Sequence, residues 1–223
     1  MKINQPKIRL KALYHSLTDV GLLIDTLQIN NTRPCPGCTQ RCSCSASRHC
    51  NCDCNPQCPQ AAAQLSSEKD RYPIEQKVLP LVFALRSMNV CEPCWSCEGH
   101  TDSQQRLIKI PQVWFYTDSM CLVRLMDEAI GVFKAKRQVQ YTWQIVASYS
   151  SRDSLLNAFS IKPDLNIENL NPDIQDRSLL EGLQQDLEVI ADQIGDDLLV
   201  GCIEYQTHLQ KLKDRELIRS HSG

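Results

Sequence analysis

The sequence predicts an α+β protein: a small, mostly antiparallel sheet with flanking helices, joined to a cysteine-rich N-terminal module ordered by metal. Three observations carry this reading. Apolar residues recur at helical 3/4 spacing in separate stretches, whereas strand-like runs are confined to residues between Leu107 and Ile161. Residues 35–58, "CPGCTQRCSCSASRHCNCDCNPQC", hold eight cysteines among 24 residues, with almost no apolar side chains to bury. The chain divides accordingly into an N-terminal helix within 1–33, a cysteine-rich metal-binding module at 34–62, an α+β domain at 63–165 carrying C-x2-C-x2-C-x2-H, and a C-terminal helical segment at 166–223.

Each element has its own signal. Ser16-Leu-Thr-Asp19 fits a capping box, and Leu17, Val20, Leu23, Ile24 and Leu27 supply an apolar face, which predicts a helix over 16–29. After Tyr72-Pro73, the residues Ile74, Val78, Leu81, Leu85 and Met88 form one stripe. Pro80 either kinks this helix or marks its true start. Ile108, Ile110, Val113 and Phe115 read as a strand interrupted near Pro111. Asp118 is the expected cap of a helix that buries Leu122, Leu125, Met126, Ala129, Ile130 and Phe133.

"YTWQIVASY" alternates as a strand, with Tyr141, Trp143, Ile145, Ala147 and Tyr149 on one face. A further strand is expected around Leu155–Ile161. Ser178 and Glu181 form a second capping box for a helix with Leu180, Leu183, Leu187, Ile190, Ile194 and Leu198. The pattern either continues through Cys202, Tyr205, Leu209 and Leu212 or is split into two helices by Gly195 and Gly201. The heptad-like stripe makes a homodimer through this helix an expectation.

Charge is unevenly distributed. Residues 166–223 hold twelve acidic and five basic side chains, against nineteen basic and fourteen acidic in residues 1–165. The basic half is too dilute to hold nucleic acid by charge alone, so RNA is a permitted partner and not an indicated one. A protein partner of unknown identity is expected. No membrane span and no secretory signal peptide are read in the chain. A reducing cytoplasm is the expected location, where clustered cysteines bind metal more often than they pair. The odd total of 13 also fits a disulfide framework poorly.

The chemistry concentrates in two clusters. Cys35, Cys38, Cys42, Cys44, Cys50, Cys52, Cys54 and Cys58 are separated by one to five residues, and Gly37, Ser43, Asn51, Asp53 and Asn55 permit tight turns between them. Cys91, Cys94, Cys97 and His100 recur at every third position and suit a compact loop around one ion. The twelve donors together suffice for three tetrahedral sites, so about three zinc ions are expected. An iron–sulfur cluster is the alternative cofactor, and copper(I) a third. Cys121 and Cys202 sit within apolar helical patterns and read as core. Trp95 is placed to shield the second site, and Glu98 is the candidate base for a metal-bound water. The remaining histidines, His15, His49, His208 and His221, read as surface residues.

The stretch "PLVFALRSMNVCEPCWSCEGH" resembles the S-C-S-G-R region of tRNA wybutosine-synthesis methyltransferases over about 30 residues. Cys97 and Gly99 match that motif, and His100 stands in place of its arginine. The resemblance implies an RNA-modifying enzyme as one alternative. The leading expectation is a zinc-bound binding or scaffolding component. An iron–sulfur or zinc enzyme using the Cys91–His100 site, and metal storage or trafficking, are the competing classes.

Overall fold

A computed structural model of the protein describes residues 10–32, 74–150, 157–165 and 177–221. The module expected at 34–62, with all eight of its cysteines, lies outside the described residues. The described chain is α+β, with four helices and a small antiparallel sheet.

Helix α1 spans Leu10–Thr32. It starts earlier than the capping box suggests, so Ser16 lies within the helix. The apolar stripe reaches one turn further back, through buried Leu13, to Val20, Leu23, Ile24 and Leu27. Helix α2, Leu79–Met88, carries Pro80 in its first turn, where a missing N–H costs no hydrogen bond. Pro80 therefore marks the start of the helix. The helix ends at Asn89, whose φ of 55° is left-handed and whose N–H donates to the Arg86 carbonyl.

The cysteine motif that follows is a strand, not the loop its spacing suggested. β1, Glu92–Cys97, pairs antiparallel with β4, Gln112–Thr117, and a bulge falls between Pro93 and Trp95. Between them, β2 (His100–Thr101) and β3 (Leu107–Lys109) form a short ribbon. Its turn is held by Asp102, whose carboxylate accepts the N–H groups of Gln104 and Arg106 and the Arg106 Nε–H. Pro111 does separate two strands, as its position predicts.

Helix α3, Met120–Ala135, is capped by Ser119 and not by Asp118. The Ser119 Oγ accepts the Leu122 N–H at 3.1 Å, leaving Asp118 one residue too early to do so. β5 (Trp143–Ser150) and β6 (Asn157–Pro163) complete a sheet of order β1-β4-β6-β5. A shift between Ala147 and Tyr149 breaks the single face expected of β5, and Ala147 is exposed.

Helix α4 runs unbroken from Arg177 to His221, 45 residues. Ser178 therefore lies inside it, and neither Gly195 nor Gly201 splits it. Each interior glycine costs about 1 kcal/mol relative to alanine, but burial along the stripe outweighs this. Leu183, Leu187, Ile190, Ile194, Leu198 and Cys202 are all fully buried, and α4 packs against α1, α2 and α3. The stripe that suggested self-association is thus covered within one chain. The sheet turns Val113, Phe115 and Thr117 inward, while Trp114 is half-buried and Tyr116 exposed on the other face. No helix of the described residues is long and apolar enough to cross a membrane.

Candidate metal centre

Three segments converge where β1 ends. Cys97 is the last residue of β1, and His100 opens β2 three residues later, opposite Lys109. The reversal between them needs Gly99. Its φ is +85°, and a Cβ there would lie 2.6 Å from Leu180 Cδ1 and 2.9 Å from Pro111 Cδ. The third segment is Ile74–Val78, which leads into α2 and presents Glu75.

One donor atom each from Glu75, Cys97 and His100 lies within 4.8 Å of the others. Ligand atoms in a tetrahedral zinc site stand about 3.3–3.8 Å apart, from bond lengths of about 2.0–2.3 Å. The donor atoms therefore stand at most about 1 Å wider apart than that spacing. Glu75 Oε1 already lies 3.0 Å from His100 Nε2.

The surrounding hydrogen bonds fix this arrangement. Glu75 Oε2 accepts the Glu98 backbone N–H at 2.7 Å, and Glu98 Oε2 in turn accepts the Lys77 N–H at 2.9 Å. The Glu98 carbonyl accepts from Gln184 Nε2 at 3.0 Å, tying the turn to the beginning of α4. Glu98, read from sequence as a base, is therefore outside the three-donor group, with its carboxylate engaged by backbone.

Burial raises the Cys97 thiol above its ordinary pKa. The Gly99 N–H and the Lys109 charge oppose that, while Glu75 and Glu98 add to it. The residue is 4% exposed, whereas the His100 and Glu75 side chains are 40% and 35% exposed. The group thus has a buried thiol at its base and two wetted donors at its rim.

Of the four sequence-predicted donors here, the structure brings Cys97 and His100 together. Cys91 lies under α2, its thiol 3.8 Å from the Leu85 carbonyl, and burial pushes it up to about 12. Cys94 is exposed in the bulged stretch beside the Tyr116 hydroxyl. Trp95 packs edge-on against Trp114, centroids 5.5 Å apart, and is itself exposed. Cys202 is buried and Cys121 half-buried, consistent with core roles. His15 and His208 are exposed on their helices. Sequence reasoning missed Glu75 and Gln184. Both are far from Cys97 in the chain, and no local spacing announces either.

No protein-family model, curated protein or solved structure matches this chain.

Proposed function

We propose that this chain is a cysteine-rich zinc-binding protein acting as a binding or scaffolding component, with one ion held in the folded domain by Glu75, Cys97 and His100. The observation that carries this is the convergence of three donors from three separate segments, with Glu75 held by the Glu98 N–H and the Cys97–His100 turn constrained at Gly99. One thiolate, one imidazole and one carboxylate make a set that zinc accepts readily. An iron–sulfur cluster needs three or four thiolates, more than this group offers. The same trio also has the composition of a nucleophilic cysteine, its base and an orienting acid. Burial of Cys97, with its raised pKa, speaks against that use, because a nucleophilic thiol is exposed and acidified.

The eight cysteines of Cys35–Cys58 add enough thiolates for two further tetrahedral ions, so the full complement is about three zinc ions. Elemental analysis of the full chain, purified without added metal, tests the reading. Wild-type protein should carry about three ions, and Cys97→Ser, His100→Ala or Glu75→Ala should each remove about one. Equal metal content in wild-type and all three variants would sink the assignment of these residues.

A further inference from the structure

The centre is asymmetric in its access to water, and this bears on what an ion there can do. Its thiol is buried, while the Glu75 and His100 side chains are each more than a third exposed. An ion touching all three would face protein on the Cys97 side and solvent on the other. The Glu98 carboxylate is bonded to the Lys77 N–H, while its backbone N–H and carbonyl are held by Glu75 and Gln184. Among the described residues, no fourth histidine, cysteine, aspartate or glutamate joins the group.

We infer that the fourth coordination position of this centre is open to solvent and takes an exogenous monodentate ligand: water at rest, and a small anion such as azide or thiocyanate in exchange for it. The inference rests on the metal reading above. Three protein ligands with a fourth, exchangeable position is the arrangement of a zinc site that polarises a bound molecule, whereas four protein ligands make a closed, structural site. The rigid surroundings suit it, since a centre held by Gly99, Glu98 and Gln184 keeps its vacant direction when the exogenous ligand changes.

The test is cobalt(II) substitution in the full-length protein under anaerobic conditions. Subtracting the visible spectrum of the His100→Ala variant from that of wild type isolates this centre from any cobalt on Cys35–Cys58. Azide added to wild type should produce a saturable shift of the d–d bands in that difference spectrum. Thiocyanate should compete with it, and the same titration of His100→Ala should show no such shift. A difference spectrum that exists but ignores both anions means that a protein ligand closes the site, and the inference falls while the metal reading stands. If wild type and His100→Ala give identical cobalt spectra, the metal reading falls, and this inference with it.

Discussion

The indole N–H of Trp143 donates to Asp186 Oδ2 at 3.0 Å, joining the first residue of β5 to the buried face of α4. The same carboxylate accepts the backbone N–H groups of Gln140 at 2.8 Å and Tyr141 at 2.9 Å. One buried acid thus terminates the α3–β5 connection and anchors it to the long helix. Orphaning a buried donor costs about 1–3 kcal/mol. Asp186→Ala should therefore lose about 3 kcal/mol or more, and Asp186→Asn less, since it retains one acceptor oxygen. Urea denaturation checks this, and an unchanged midpoint for the alanine variant would show that water replaces the carboxylate at no cost.

Gly99→Ala should destabilise the β1–β2 turn by about 2 kcal/mol or more. A left-handed backbone costs a residue with a Cβ about 1–2 kcal/mol, and the new methyl meets Leu180 and Pro111 at 3 Å or less. Leu180 can rotate, but the Pro111 ring cannot move without shifting β4. Thermal unfolding gives the stability change. Zinc retention should fall with it, because the turn sets the distance between Cys97 and His100.

Gln184→Ala should weaken zinc at the centre by about tenfold or more while leaving the fold intact, the usual effect of removing a group that orients ligands. The measurement is hydrogen exchange of the segment 97–101 across a zinc titration, which reports this centre whatever the remaining cysteines bind. A wild-type midpoint in the variant would show that the Glu98 carbonyl needs no donor from α4.

Cys91 and Cys202 have folded-state pKa values pushed up to about 12 from an ordinary 9.0, chiefly by burial, which disfavours the thiolate. The sign follows from linkage. Between those values the unfolded chain releases protons that the folded chain retains, so stability is complete below pH 9 and declines as pH rises toward 12. Replacing both residues with alanine should flatten that decline. At pH 8 iodoacetamide should label exposed Cys94 well before Cys91 or Cys202. Equal labelling rates would mean that α2 and α4 open readily.

Much of the fold is legible in the chain because one-sided burial writes itself as periodicity. All six apolar residues expected inside α3 are buried there, and the break at Pro111 separates β3 from β4 as expected. β1 was illegible because Pro93 argues against a strand and Cys94, Ser96 and Cys97 give it no apolar alternation. It is a strand because β4 offers it a ladder, and the bulge absorbs the residue that would break the register. Gly195 and Gly201 left one helix or two open for a related reason, since local propensity yields to packing against three other helices. Two of the three donors of the candidate centre were visible as C-x2-H. Glu75 was not, since the pairing of residues on either side of α2 is a property of the fold.

The two outer strands of the sheet share a property that reaches beyond the single molecule. On β5 the outward N–H of Ile145 is taken by Asp127 Oδ1 at 3.0 Å, and the strand is kinked between Ala147 and Tyr149. On β1, Pro93 has no N–H to offer, and the next residues bulge away from a straight ladder. Neither border presents the flat row of free donors and acceptors that another strand needs in order to add on. The sheet is therefore finite by construction. Exchanging Pro93 for threonine, a strand-forming residue that restores the N–H, would remove one of these blocks and favour edge-to-edge aggregation at high concentration.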